Sequence, residues 1–133
     1  ATEDMSSNTP TLVVAITNRR DLIDPALLRA GRLEIHVEVE SPSKAARAEI
    51  LRLQLQHMFQ RGRLEGVDTM EDLTAVTCEL AEMSDGCTGA DLAAVVRAAS
   101  SRALERFSLS GDAPCAVTVP DLMLSMAHDR SDL

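Results

Sequence analysis

Hydrophobic and polar positions divide the chain into a strand-like part and a helical part. Residues 11–16 form an apolar run rich in β-branched residues, which predicts a strand buried on both faces. Residues 33–40 alternate strictly between apolar and polar side chains, which predicts a strand with one apolar face. Ser41-Pro42 interrupts this alternation, and the helical period begins directly after it. We therefore predict a boundary between two subdomains near residues 41–43.

The helical part contains four predicted helices. The first covers residues 43–60, and the other three begin at Thr-x-x-Asp sequences, a variant of the capping box: Thr69–Asp72, Thr88–Asp91 and Thr118–Asp121. Four amphipathic helices must bury their apolar faces together, so residues 43–128 are predicted to form a bundle. The apolar positions at helical spacing are Ala48, Leu51, Leu55, Met58 and Phe59, flanked by Ile50 and Leu53; Leu73, Val76, Thr77 and Leu80; Leu92, Val95, Val96, Ala99 and Ala103; and Leu122 and Met126.

Short segments outside these elements have their own predictions. Residues 1–10 are polar and without periodicity, which predicts a flexible segment, and residues 129–133 are predicted to be a tail. A short extended piece is predicted at residues 116–118, directly before the last helix.

Composition excludes several classes of partner. The chain has a net charge of −8, no basic stripe, and two Phe as its only aromatic residues. It therefore lacks both the positive surface and the stacking platforms that nucleic acids require, and we predict no nucleic-acid binding. No run approaches the roughly 18 apolar residues of a membrane span. The three cysteines share no metal-ligand spacing, which predicts free thiols, no metal site and a cytoplasmic location.

The segment Thr17–Arg32 between the two predicted strands carries the candidate chemistry. Asn18 lies at the carboxyl end of the first strand, where ligands bind in open parallel sheets. Asp24, Pro25 and Gly31 suit the cap, the first position and the residue just past the end of a short helix. Arg29 and Arg32 lie three residues apart at the end of this helix. A capped surface helix with two solvated arginines is the plain alternative.

This segment resembles the second region of homology of AAA-type ATPases, which are hexameric P-loop machines. The resemblance implies that Asn18 senses the γ-phosphate or positions the attacking water. It also implies that Arg29 and Arg32, in the pattern Leu-Leu-Arg-x-Gly-Arg, point at the nucleotide of the neighbouring subunit. A guanidinium supplied in trans can neutralise charge on a transferring phosphoryl group, an effect of about three to five orders of magnitude in rate.

The helical part is similar to the lid subdomain of the same family. Its sequence Ser84–Leu92 resembles the turn in which a Gly-Ala pair, here Gly89 and Ala90, lies against adenine and ribose. The family's apolar contact in the first lid helix is retained as Ile50. The adenine-contacting His of that helix is replaced by Gln54, which departs from the family pattern.

The phosphate-binding loop Gly-x-x-x-x-Gly-Lys-Ser/Thr is absent from the sequence, since the only lysine is Lys44. The expected fold class is a mainly helical α+β fragment: two strands of an incomplete α/β P-loop core (residues 11–42) followed by a four-helix lid (residues 43–128). We expect ATP and Mg²⁺ to bind the full-length protein, and no cofactor to bind this fragment, which should be inactive alone.

Within the family, the sequences Thr17–Asp21, Leu27–Glu34 and Val96–Ser101 are similar to the first ATPase domain of the N-ethylmaleimide-sensitive fusion factors. That branch implies a homo-hexamer that disassembles SNARE complexes through a SNAP-like adaptor and meets vesicle or Golgi membranes only peripherally, through partners. Two alternatives stay open. One is the lid region of another AAA unfoldase, segregase-like or microtubule-severing, and the other is a stand-alone helical interaction module.

Overall fold

The computed structural model describes residues 9–112 and 114–131, with the side chain of Arg130 left out. The chain divides into two compact units between Val39 and Glu40, close to the boundary predicted at residues 41–43. The predictions for residues 1–8 and 132–133 lie outside the described residues.

The second unit contains four α-helices and a small parallel sheet. The elements are α1 (Lys44–Gln60), β1 (Leu64–Glu65), α2 (Met70–Met83), α3 (Gly89–Ser110), β2 (Val117–Thr118) and α4 (Val119–Ser131). The predicted fold class, a mainly helical chain with four helices in its second part, is confirmed. Helix α4 extends further than expected, so residues 129–131 are helical rather than a tail. None of the helices in the described ranges is long and apolar enough to cross a membrane.

Side-chain caps start all four helices. At α1 the hydroxyl of Ser43 accepts a hydrogen bond from the backbone N–H of Ala46. The three predicted capping boxes are confirmed, because each Thr accepts from the backbone N–H of its Asp and each Asp accepts from the backbone N–H of its Thr. Such caps satisfy backbone donors that the helix leaves without partners and contribute about 1 kcal/mol each.

One apolar core joins the four helices. Every apolar position predicted on α3 is buried, as are Leu51 and Leu55 on α1. Leu53 is 57% exposed, since it lies on the flank of the α1 stripe. The other buried apolar residues of the core are Leu64, Val67, Leu73, Leu80, Cys87, Val117, Leu122 and Met126.

The two-stranded sheet was predicted only in part. An extended piece was expected at residues 116–118, and Val117–Thr118 does form β2. Its partner β1 was not predicted because two residues give no periodic signal. Leu64 pairs with Val117 and Glu65 with Thr118, which ties the segment after α1 to the segment before α4.

A buried carboxylate anchors the start of α4. Both oxygens of Asp121 accept hydrogen bonds from Arg106 on α3, at 2.9 and 2.8 Å, and Asp121 is only 5% exposed. The same guanidinium donates to the carbonyl of Ala116 at 3.1 Å. Hydrogen bonding by Arg106 lowers the pKa of Asp121 from its ordinary 3.8 to about 2, although burial of the carboxyl group opposes the shift.

The first unit departs from the expected strands. Residues 11–16 and 33–40 form no strand, and the side chains of Leu12, Ile16 and Ile35 are 86%, 93% and 89% exposed. Within the described residues, no backbone–backbone hydrogen bond involves residues 11–16 or 34–40. The apolar run predicted to be buried on both faces is therefore exposed, because no neighbouring strand lies beside it in the described chain.

The Arg106–Asp121 pair predicts a defined loss of stability in acid. The carboxylate has a lowered pKa in the folded state, so its contribution is present above pH 4 and is lost as the pH falls towards 2. Asp121→Asn should lower the free energy of unfolding at pH 7 by about 1–3 kcal/mol. It should also flatten the dependence of stability on pH between 4 and 2. Urea unfolding followed by circular dichroism at several pH values measures both effects.

Glu49→Gln is the matched control for this variant. Glu49 also binds an arginine through both oxygens, but the pair with Arg52 lies at the surface, and it should contribute little. If Asp121→Asn is no less stable than Glu49→Gln, the pairing of Arg106 with the buried carboxylate of Asp121 does not stabilise α4.

Amide exchange should separate the two units. Helical amides of the second unit are hydrogen bonded around a packed core and should be protected, whereas amides of residues 11–16 and 34–39 should exchange fast. Hydrogen–deuterium exchange of the isolated chain at two concentrations measures this. Protection of residues 11–16 that grows with concentration would reveal strand pairing between copies. Strong, concentration-independent protection there would contradict the prediction.

Candidate functional site

Asn18 lies at the end of the exposed apolar run. The hydroxyl of Thr17 accepts a hydrogen bond from the backbone N–H of Arg19 at 3.0 Å, which turns the chain at this point. The side chain of Asn18 is exposed. A carboxamide at the tip of a turn can accept from or donate to a ligand.

The two arginines that follow Asn18 have local partners. Arg19 binds both carboxylate oxygens of Asp21, at 3.2 and 3.1 Å, and lowers the pKa of this carboxyl group. Arg20 contacts Nδ1 of His36 at 3.1 Å, so it reaches from the first 3₁₀ turn (Arg20–Leu22) to the segment predicted as the second strand. His36 is exposed, as its place on the polar face of that segment predicts.

A closed turn presents Arg29 and Arg32. The predicted short helix is a single 3₁₀ turn, Pro25–Leu28, capped by Asp24 as expected. Gly31 adopts the left-handed conformation (φ +82°) that a side chain would disfavour. The backbone N–H of Leu33 then donates to the carbonyl of Leu27 at 3.0 Å, which closes the loop.

The two guanidinium groups of this turn differ in their surroundings. Arg32 Nη1 donates to the carbonyl of Ala26 at 3.1 Å, so this side chain folds back over the turn. Arg29 lies directly after the 3₁₀ turn and is exposed. Guanidinium groups bind phosphate oxygens through two parallel N–H donors, so the arrangement is suited to an anionic ligand.

The predicted adenine-side residues lie on two helices of the second unit. Ile50 is half-buried against the core and Gln54, one turn later on α1, is exposed. Gly89 is the first residue of α3 and Ala90 the second. Helices α1 and α3 pack against each other, so both pairs belong to the same rigid bundle.

The start of α3 leaves open space beside Gly89. The first backbone N–H groups of a helix have no partner within it. A Cβ atom built on Gly89 would meet no atom within 4 Å, and the residue does not adopt a left-handed conformation. Neither packing nor backbone geometry in the described structure therefore requires a glycine here. The arrangement can accept a flat group against the backbone.

Sequence reasoning missed one buried polar residue beside this region. Arg47 on α1 is only 5% exposed and contacts the end of α2, directly before the turn that leads to Gly89. Its position was a usable signal, since Arg47, Leu51 and Leu55 recur every four residues on one face of the helix. An arginine in line with core leucines either extends its head to water or needs buried acceptors.

Comparison with protein families places both parts of the chain. Residues 1–41 match the model of the ATPase family associated with various cellular activities (AAA). Residues 77–112 match the AAA+ lid domain. The chain belongs to the AAA ATPase family. The resemblance seen in the motifs is therefore confirmed. The first match covers the first compact unit and ends two residues beyond it, and the second match lies within the second unit.

Relatives from several AAA branches are similar to this chain. The vesicular-fusion protein sec18 of Schizosaccharomyces pombe is 41% identical over 71% of the chain. The vesicle-fusing ATPase of Caenorhabditis elegans is 36% identical over 91% of it, and the cell division cycle protein 48 homolog of Archaeoglobus fulgidus is 41% identical over 75%. The chain spans only 11% to 14% of the length of these three relatives.

Proposed function

We propose that this chain supplies the trans-acting arginines and the lid of a hexameric ATP-hydrolysing AAA module. The observation that carries the proposal is the closed turn that presents Arg29 and Arg32 within the region matched to the AAA family. In the proposed hexamer, residues 11–42 end the large ATPase subdomain and residues 43–128 form the lid. The chain alone should be inactive, because its sequence contains no phosphate-binding loop.

The catalytic roles divide between subunits in this proposal. Arg29 and Arg32 contact the γ-phosphate of the nucleotide bound by the neighbouring subunit, and Asn18 acts on the nucleotide of its own subunit. In the full-length protein, Mg²⁺ bound with ATP would supply further neutralisation of charge on the phosphates. Because arginines supplied in trans act mainly on charge that develops during phosphoryl transfer, they accelerate the reaction more than they strengthen ATP binding.

The lid contributes the adenine side of the site. Gly89 and Ala90 lie against adenine and ribose, with Ile50 as an apolar contact and Gln54 in place of the usual His. The open space beside Gly89 supports this assignment, since no internal constraint accounts for a glycine that costs helix stability.

The proposed machine is a vesicle-fusion factor that disassembles SNARE complexes through a SNAP-like adaptor. Two relatives with vesicle fusion in their names support it, one of them similar over 91% of the chain. Under this proposal the protein is cytoplasmic and reaches vesicle or Golgi membranes only through its partners. The second candidate is a segregase-like unfoldase, because the cell division cycle protein 48 homolog of Archaeoglobus is 41% identical to the chain, as is sec18 of Schizosaccharomyces pombe.

Arg29→Ala or Arg32→Ala in the full-length protein should lower ATP turnover by about three orders of magnitude, because each removes charge stabilisation of the transition state. The KM for ATP should change by no more than a few-fold. Arg102→Ala removes an exposed arginine from α3 and is the matched control, with turnover near wild type. Steady-state phosphate release measures all three variants.

Mixed hexamers test whether the arginines act across subunits. Mixing Arg29→Ala subunits with Asn18→Ala subunits should restore turnover that neither variant has alone, because some sites then combine Asn18 of their own subunit with Arg29 of the neighbour. If the mixture is no more active than the two separate variants, the arginines do not act in trans.

A client assay separates the two candidate machines. The full-length protein with ATP and an adaptor should separate a fluorescently labelled four-helix SNARE complex, and Arg29→Ala should abolish this. Unfolding of a tagged globular substrate without the adaptor, combined with no SNARE disassembly, would favour the segregase-like alternative.

A further inference from the structure

The guanidinium of Arg47 is buried and joins three segments of the second unit. Nη2 donates to the carbonyl of Ala81 at 2.9 Å, Nε to the hydroxyl of Ser84 at 3.2 Å, and Nη1 to the carbonyl of Pro42 at 3.1 Å. One side chain thus connects α1 to the end of α2 and to the residues that precede α1.

The charge of Arg47 is balanced mainly by a helix terminus. The nearest carboxylate, that of Asp85, is 3.8 Å from Nη2, and its side chain is 88% exposed. The carbonyl of Ala81 belongs to the last turn of α2, where aligned peptide dipoles concentrate partial negative charge. Ser84, which is fully buried, also donates its hydroxyl hydrogen to that carbonyl, at 3.2 Å.

This contact fixes one end of the turn that leads to Gly89. The backbone N–H of Cys87 donates to the carbonyl of Ser84 at 3.0 Å, so the position of Ser84 sets the course of the turn. The other end is fixed by the capping box of Thr88 and Asp91. Between these anchors Gly86 is left-handed, with φ +81°. The turn that leads to α3 is therefore held by Arg47 at its first end and by the capping box of α3 at its second end.

We propose that Arg47 is a positioning residue that sets nucleotide affinity by holding the start of α3 in place. The inference rests on the proposed contact of Gly89 with adenine, and Arg47 itself touches no nucleotide. The adenine contact is remote from the transferred phosphate, so it contributes equally to the ground state and the transition state. Loosening the turn should consequently raise the KM for ATP and leave kcat unchanged.

The test uses Arg47→Met and Arg47→Lys in the full-length protein. Arg47→Met removes the guanidinium from its three acceptors, of which the Ala81 carbonyl keeps only the Ser84 hydroxyl as a side-chain donor. It should raise the KM for ATP by about tenfold, with kcat within about twofold of wild type. Arg47→Lys lacks the planar fork and should restore the KM in part, to about threefold above wild type. Lys44→Met is the matched control, because Lys44 pairs with exposed Glu82 between the same two helices.

Hydrogen exchange reports on the turn directly. In Arg47→Met, the amides of residues 84–88 should exchange about tenfold faster than in wild type, the same factor as expected for the KM. Those of residues 61–63, beyond the opposite end of α1, should not change. If Arg47→Met does not fold, Arg47→Lys decides the question through the same two measurements.

Gly89→Leu separates failure of this inference from failure of the proposed function. A raised KM in Gly89→Leu, together with an unchanged KM in both Arg47 variants, would overturn the positioning role. An unchanged KM in Gly89→Leu would instead remove the lid–adenine contact from the proposed function, and the inference would fall with it. A kcat loss equal to that of Arg29→Ala in the Arg47 variants would also overturn it.

Discussion

Burial of four apolar helix faces in one core is the constraint on which the second unit depends. Leu51, Leu55 and Leu92 are completely buried, and burying a leucine side chain contributes about 1.5–3 kcal/mol. The polar contacts supplement this core. The capping boxes fix where the helices begin, and the ion pair of Arg106 with Asp121 fixes where α4 meets α3. The unit can therefore hold its shape with its own residues.

The first unit has the opposite character. Most apolar residues of its segments 11–16 and 34–39 are β-branched, and all of them are exposed. The backbone of residues 11–16 makes no backbone–backbone hydrogen bond among the described residues. Joining a sheet would pair the backbone N–H and C=O groups of such a segment and bury its apolar side chains. The first unit does fix one local feature, the turn of residues 24–33, through the cap of Asp24 and the backbone hydrogen bond from Leu33 to Leu27.

Prediction from the sequence succeeded where the signal was local or periodic. Three Thr-x-x-Asp starts and the stripe of α3 follow from nearest-neighbour geometry, and all agree with the structure. The spacing of Arg47 with Leu51 and Leu55 indicates a buried position, but no local pattern encodes its contact with Ala81, which lies 34 positions away. Strand β1 was not predicted, because its two residues give no periodic signal and its partner lies more than 50 residues later in the chain. The candidate site residues came from motif order alone, and their roles stay predictions.

The placement of the candidate arginines follows from this division between local and non-local stability. The turn that carries Arg29 is shaped by hydrogen bonds within residues 24–33, so its geometry does not require the flanking segments to pair with other strands. Under the proposed function, its position in space depends on a sheet of the large subdomain, because the flanking segments 11–16 and 34–39 make no backbone–backbone hydrogen bonds in the described structure. Under the proposed function, an arginine presented on such a turn reaches a neighbour's phosphate only when the large subdomain is complete and assembled. Hydrolysis would then be confined to the hexamer, whereas the lid surface proposed to contact adenine would be formed in every state of assembly.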